Sequence, residues 1–600
     1  MKTRIHQSLF VLAFVFVIFT LKIWHLQIIK GSEYLEISRN NRLRITKMPA
    51  PRGIIYDTNN LPIVKNVPSF DISIEREVIQ NRPREYISRI GELLAIDEKE
   101  IRDKLKKNTY SESVKIKEDI PWEEVAQIEA RKIDFPELHI EVALRREYIY
   151  QERGGHIIGY LGHMTDNQIK NPQYEGVPHT SLVGQGGLEK YYDKALRGIA
   201  GKKIIEVDAL GREISVLKTV EPIKGDDIVL TLDINIQKIA EEALENRPGS
   251  IVIIDPDSGA ILAMASIPTF DPNLFSRGIS LTDWKKLISN PQKPLYNRAL
   301  QSAYPPGSTF KIITALAALQ EGVVNYDSTF FCNGAVQLGG KTFRCWKHYG
   351  HGRVNLKKAL VESCDVYFYE VSKKLGINRI AKYAKNFGLG SPVGLKSFKQ
   401  KKGIIPSIEW KRKVLNRPWY PGETLIASIG QGFVTTTTLQ MANVIAIVAN
   451  GGKKFTPHII KREVSEIPSH VIVDERYIAF VKSALRDAVQ SRRGTGTKAR
   501  SHLISIAGKT GTAQVVGMKK YAKKKAQYED HAWFVAFAPY KNPEIAMAIM
   551  VEHGGHGGST CAPIAKKIAE QYLIYKRNKH KKDKLVQISS KVKEYLQEQK

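Results

Sequence analysis

The alternation of apolar and polar positions divides the chain into regions of different texture. Leu9 to Leu21 runs without a charge, and Ile23 to Ile29 continues the apolar stretch after Lys22. A run of about 20 such residues makes a helix long enough to cross a bilayer. Lys2 and Arg4 precede it and the first acid is Glu33. The positive-inside rule then predicts a short cytoplasmic tip, a single span and an extracytoplasmic body. Lys22 can snorkel and Trp24 suits the headgroup level at the far end. No small-x-small site follows the run, which argues against a cleaved signal peptide. From Gly31 to Lys224, short apolar alternations mix with charged helical stretches such as Pro83 to Lys107. After Asp226 the pattern changes. Asp227 to Leu232 reads as a strand and Ile234 to Leu244 as an amphipathic helix, while Ser250 to Asp255 and Ala260 to Ala265 read as two strands joined by the turn Pro256-Asp-Ser-Gly259. These elements predict an α+β body with an antiparallel sheet. The expected divisions are 1–30 for tip and anchor, 31–224 for a membrane-proximal body, 225–575 for a second body and 576–600 for a basic tail.

Six hundred residues exceed one hydrophobic core, and 42% hydrophobic with 25% charged residues excludes disorder, collagen-like repeats and a polytopic membrane protein as global descriptions. Four cysteines cannot build a dense disulfide framework. The 91 basic against 61 acidic residues give a net charge of +30. Part of this excess sits in Lys519, Lys520, Lys523, Lys524 and Lys525, and in the tail, where nine Lys or Arg face three acids. Neither run interleaves with regularly spaced aromatics. Both read as solvated segments with weak attraction to anionic lipid or wall polymer, and no nucleic-acid partner is expected.

The candidate chemistry begins at Tyr304-Pro-Pro-Gly-Ser308-Thr-Phe-Lys311. The prolines and Gly307 break any preceding structure, and Ile312 to Gln320 reads as a helix apolar on most sides, with Ser308 in its first turn and Lys311 on the same face. A hydroxyl is a poor nucleophile until a base takes its proton, and a lysine serves only if burial or another cation lowers its pKa. Ser363-Cys-Asp365 follows about fifty residues later and Gly508-Lys509-Thr-Gly-Thr512 about two hundred after Ser308, in a strand-like stretch running to Val516. Singly, these are ordinary cap or strand residues. Together and in this order they match the S-x-x-K, S-D-N and K-T-G set of acyl-serine enzymes, with Asp365 in place of the commoner asparagine.

With these motifs the sequence resembles the class B penicillin-binding proteins. Arg52-Gly-Ile-Ile-Tyr-Asp57 is similar to the family's first N-terminal motif, and Gly184-Gln-Gly-Gly187-Leu-Glu189 with Tyr192, Asp193, Leu196 and Gly198 to a later one. Gly430-Gln-Gly432, Asn450-Gly-Gly452 and Ala532 to Pro539 also match, whereas Asn60 stands where Gly is common and Thr438 where Pro is usual. Arg52, Asp57, Gly184 and Glu189 are read as structural. The Ser-x-Asp motif and the Trp346 to Gly352 segment are most similar to the elongation-specific, penicillin-binding protein 2 type. The resemblance implies a serine β-lactamase-like transpeptidase domain on a pedestal, or dimerisation-type, domain. It also implies D,D-transpeptidation of peptidoglycan stem peptides through an acyl-serine that β-lactams mimic. Ser308 is then the nucleophile, Lys311 its base and Ser363 the relay to the leaving D-alanine. Asp365 accepts from Lys311 or Lys509, and Lys509 with Thr510 and Thr512 meets the substrate carboxylate and lowers the pKa of Lys311. Gly511 lets the strand lie close to the peptide, and the N–H groups of Ser308 and Thr512 form an oxyanion hole. The implied partners are a membrane glycosyltransferase of the shape, elongation, division and sporulation type and other elongation-complex proteins, at the cytoplasmic membrane.

Cys332, Cys345, His348, His351 and Cys364 lie within 33 residues. The short Cys345 to His351 spacing and three thiolates with one imidazole suit tetrahedral zinc. The resemblance implies a structural zinc site here, and matching places Cys332, Cys345, His351 and Cys364 at its ligand positions. A Cys332–Cys345 disulfide is the alternative, and Cys561 is left as a buried or free thiol. Two other readings of the whole chain stay open: a D,D-carboxypeptidase or β-lactamase-type hydrolase with water as acceptor, and a non-enzymatic β-lactam sensor or scaffold.

Overall fold

The apolar run near the N-terminus forms the helix Lys2–Trp24, which continues as a π-helical turn, His25–Ile29. Gln7–Ile29 has a mean hydropathy of 2.3 and none of it is buried within the protein. Among the described residues this is the one helix long and apolar enough to cross a bilayer. In this computed structural model the described residues are 2–34, 42–75, 79, 84–107, 113–135, 138–177, 181–207, 213–276, 278–395, 398–461, 466–514 and 529–598. The lysine cluster at 519–525, Pro83 and the end of the strand-like stretch at Val516 lie outside them. The chain falls into two compact units, Met1–Gly53 with Lys194–Asp227, and Ile54–Asp193 with Ile228–Lys600. In the first, Leu43–Met48, Gly201–Val207 and Glu213–Val220 form an antiparallel sheet in that order.

In the second unit the long strand Pro62–Glu75 pairs antiparallel with Ser113–Ile120, Leu138–Tyr148 and Ile55–Tyr56. The charged stretch expected to be helical forms Arg84–Leu94 and Glu98–Lys107. Their Ile87, Ile90, Leu94 and Ile101 pack in one core with Ile72, Ile74 and Val114. The strand expected from Asp227 to Leu232 shortens to Ile228–Val229, parallel to Ile55–Tyr56. It stops because the next residues turn to another partner: Leu230 bridges to Ile460, and the Thr231 N–H bonds the Ile459 carbonyl at 2.8 Å. Two of the residues read as structural, Asp57 and Glu189, make contacts in this region. The Asp57 carboxylate accepts the N–H groups of Asn59 and Leu61, each at 2.8 Å. Between them Asn60 has φ +59°, a left-handed conformation that asparagine tolerates in place of glycine. Glu189 forms a fully buried ion pair with Arg146 at 2.8 Å.

The expected hairpin is present as Gly249–Ile254 against Ile261–Ile267, the start of a five-stranded sheet. Its order is Ile261–Ile267, Gly249–Ile254, Ile545–Val551, His531–Ala538 and Ala507–Ala513. Every residue of its three central strands is buried, so both faces are covered. Ile564, Ala565 and Ile568 of the helix Gly557–Glu598 and Ile236 and Ala240 of Ile234–Ala243 pack on one face. On the other, Thr438 of the helix Thr438–Ala449 shares a hydrogen bond with Ser250 at 2.7 Å. Thr438 needs no proline to start that helix, because Thr437 and Gln440 form a capping box. The basic tail is no loose segment: the last helix runs through it to Glu598, with Arg577 to Leu585 exposed.

Candidate active site

Three local structures bring the motif residues together. Ser308 lies in a 3₁₀ turn, Gly307–Phe310, one step ahead of the helix Lys311–Gln320 rather than within its first α turn. The turn is tightened by Gly307 at φ +56°, whose N–H donates to the Gly430 carbonyl at 2.9 Å. A side chain at Gly430 would fall on the Gly307 carbonyl, so the Gly-Gln-Gly segment clamps the serine turn by close backbone approach. Ser308 stays partly exposed, whereas Lys311 is fully buried.

Lys311 Nζ donates to the Ser363 carbonyl at 3.0 Å, to Ser363 Oγ at 3.3 Å and to Asp365 Oδ1 at 2.6 Å. Ser363 is held at φ +56°, unusual for serine, immediately before the helix Asp365–Leu375. Of the two lysines offered for Asp365, the structure pairs it with Lys311. The third motif occupies the strand Ala507–Ala513, at the edge of the sheet order. Lys509 is fully buried and donates to the Thr510 carbonyl at 3.2 Å. Burial first, and then the charge of Lys311, push its pKa well below the usual lysine value. Thr510 shares a hydrogen bond with Thr495 at 2.8 Å, and Gln431 Nε2 donates to the Thr512 carbonyl at 2.8 Å. At Gly511 a Cβ would stand 2.6 Å from the Pro306 carbonyl and 2.9 Å from Thr309 Cγ2. Within the protein, the close approach that this glycine permits is to the serine turn.

A half-exposed hydroxyl, a buried amine with a second hydroxyl and a carboxylate, and an edge strand able to take an extended peptide are the parts of an acyl-transfer site. Residues 249–570 match the penicillin-binding protein transpeptidase domain and residues 47–230 the penicillin-binding protein dimerisation domain. The peptidoglycan D,D-transpeptidase MrdA of Haemophilus influenzae is 35% identical over 93% of this chain and 89% of its own length. That of Acinetobacter baumannii is 36% identical over 92% and 85%. A solved complex between penicillin-binding protein 2 and MreC from Helicobacter pylori superposes with a TM-score of 0.80 at 29% identity, covering 89% of this chain and 99% of that one. This chain belongs to the penicillin-binding protein family.

In this penicillin-binding protein the four proposed metal ligands also converge. Cys332, Cys345, His351 and Cys364 are buried, and their ligand atoms lie within 4.8 Å of one another. His351 Nδ1 is 3.6 Å from the sulfurs of both Cys332 and Cys345. Tetrahedral zinc bonds of about 2.3 Å to sulfur and 2.0–2.1 Å to nitrogen separate their two atoms by roughly 3.6 Å, so the donor set fits a zinc ion in spacing and chemistry. His351 Nε2 is buried without a hydrogen-bond partner. All four cysteines are free thiols, so the Cys332–Cys345 disulfide is not formed. His348 lies outside the group of four. Contact with Cys364 draws the Cys345 pKa down, while the contact with Cys345, and then burial, push Cys364 up. Burial raises the thiol of Cys561, which is fully enclosed.

Trp346 is a site residue to which motif reading gave no role of its own. Its backbone N–H donates to Asp365 Oδ2 at 2.9 Å and its indole Nε1–H to the carbonyls of Ser363 at 3.0 Å and Glu362 at 3.1 Å. The available signal was its position directly after Cys345. That places it on the loop that reaches the second motif.

Proposed function

We propose that this penicillin-binding protein is a peptidoglycan D,D-transpeptidase of the elongation-specific type, acting through an acyl-enzyme on Ser308. The observation that carries the reading is the Lys311 amino group held by Ser363 and Asp365 just after the serine turn. Ser308 attacks the carbonyl between the terminal D-alanines. Lys311 takes the serine proton, and Asp365 stabilises the ammonium that forms. Ser363 Oγ, within reach of Lys311, passes a proton to the departing amine. N–H groups at Ser308 and Thr512 face the developing oxyanion. The donor peptide lies along the edge strand, with its carboxylate at Thr510 and Thr512. Its arrival favours the protonated form of the otherwise depressed Lys509. An amine from a second stem peptide then releases Ser308.

Residues 31–224 are proposed as the pedestal, 225–575 as the transpeptidase domain and 576–600 as an appendage to it, with 1–30 as a single-pass anchor that leaves the body outside the cytoplasm. Cys332, Cys345, His351 and Cys364 would hold a structural zinc ion, which when bound fixes the Trp346 loop to the Ser363 segment. The proposed partners are elongation-complex proteins of the MreC kind, by likeness to the Helicobacter pylori complex, and a membrane glycosyltransferase. Incubation of the full chain with benzylpenicillin, followed by intact-mass spectrometry and peptide mapping, tests the enzyme assignment. A stable adduct on Ser308, absent in Ser308→Ala, is expected. An adduct that persists at the same site in that variant overturns it, and one lost within seconds favours a hydrolase. Donor and acceptor stem peptides then establish cross-linking.

A further inference from the structure

Three thiols meet beside the catalytic second motif, and one of them, Cys364, sits between Ser363 and Asp365 in the chain. Its sulfur lies within 4.8 Å of that of Cys345, and Cys345 Sγ also accepts the Asp365 N–H at 3.4 Å. The cluster lies just beneath the surface. Cys345 keeps 6% of its surface exposed, and the loop over it carries Trp346 at 61% and Tyr349 at 96% exposure. A small oxidant therefore has a short path to the sulfur. A disulfide is only about 2.05 Å long and holds its two cysteines in a set dihedral, so closing one resets the geometry at Cys364, between Ser363 and Asp365. The Lys311–Ser363 Oγ bond, at 3.3 Å, is already near the limit for a hydrogen bond and has little tolerance for such a shift.

We propose that Cys345 and Cys364 are an oxidation site: a peroxide closes them into a disulfide that draws Ser363 and Asp365 away from Lys311 and reversibly disarms the enzyme. Hydrogen peroxide transfers one oxygen to the first sulfur and leaves as water, giving a sulfenic acid. The second thiol displaces that oxygen as a second water. Two thiols and one peroxide thus yield one disulfide and two waters, the two electrons passing from sulfur to oxygen. A reductant reverses the step. Zinc held by the four residues would keep the sulfurs apart, so metal release accompanies closure. The consequence for catalysis rests on the reading of Ser363 and Asp365 as active-site residues, whereas formation of the crosslink does not.

The test uses the full chain in detergent, loaded with zinc, treated with hydrogen peroxide and followed by a chromogenic zinc chelator, peptide mapping and the rate of fluorescent-penicillin labelling. Zinc release, a Cys345–Cys364 crosslink and labelling slowed at least about tenfold are expected, the last from loss of a hydrogen bond to a charged group. Reductant with added zinc restores the rate. In Cys345→Asp, which keeps an oxygen donor but cannot crosslink, the ratio of labelling with and without peroxide stays near one, whatever its starting rate. A Cys332–Cys345 crosslink, no crosslink, or a crosslink without slowing overturns the proposal, and so does equal slowing in Cys345→Asp. Failure of the untreated chain to label at all counts against the function assigned to Ser308, and the crosslink is then judged by mapping alone.

Discussion

At the scale of single residues, the site concentrates its cost at Lys509. A lysine fully enclosed beside another cation binds its proton more weakly in the folded than in the unfolded chain. Between its depressed folded pKa and the ordinary value of 10.5, the unfolded state holds more protons, so this residue's contribution to stability improves as pH rises through that window. Lys509→Met is therefore expected to raise the melting temperature at pH 7 and to lose that advantage towards pH 10, while penicillin labelling collapses. A gain that is equal at both pH values in thermal melts would refute this. Trp346→Phe keeps a ring over the cluster but removes the donor to the Ser363 carbonyl. A neutral hydrogen bond is worth about 1 kcal/mol, so labelling should slow about fivefold with unchanged saturation by penicillin, as measured by stopped-flow acylation. An unchanged rate would show that Ser363 holds its left-handed conformation without the indole.

At the scale of elements, the catalytic turn is shaped by backbone approach as much as by side chains. Gly430→Ala places a methyl group on the Gly307 carbonyl and strains a residue at φ +71°. Acylation should fall by about a hundredfold or more, as expected when a nucleophile is misplaced by an ångström. The Arg146–Glu189 pair should be untouched, which near-unchanged proteolysis of the pedestal would verify. This division also marks what could be read from the chain. The serine, lysine and threonine positions were legible because each motif is local: a proline-glycine break before a helix, a cap before another helix, an edge strand. The hairpin at Ser250 and the helix at Ile234 were legible for the same reason, through short turns and period. Partners remote in sequence were not. Nothing near Gly511 in the chain announces Pro306, nothing in Asp365 says that Lys311 rather than Lys509 will pair with it, and the strand expected to Leu232 was cut short by Ile460. The tail shows the opposite error. Its charge suggested a solvated segment, and the charged residues from Arg577 to Lys584 are exposed, but the helix begun by buried Ile564 and Ile568 carries on through it.

At the scale of the whole molecule, the charge of +30 and the apolar helix pull on different surroundings, and a truncation separates them. The transpeptidase match ends at residue 570, and the exposed basic stretch begins at Arg577. Removal of residues 577–600 deletes eight basic and three acidic residues, a change of five charges that touches none of the site contacts. Penicillin labelling of Ser308 should be unchanged, and elution from a cation exchanger should move to lower salt, since surface charge governs such association. Removal of residues 1–30 should do the reverse: labelling stays, and the chain leaves the membrane fraction without detergent, because a lone amphiphilic surface does not match the hold of a spanning helix. If the chain shortened at its start still sediments with membranes in high salt, the span is not what holds it there. If it is released only when the tail is also removed, the basic helix is a second, electrostatic attachment. Screening by salt, strong for exposed lysines and absent for an apolar helix, tells the two contributions apart in one fractionation.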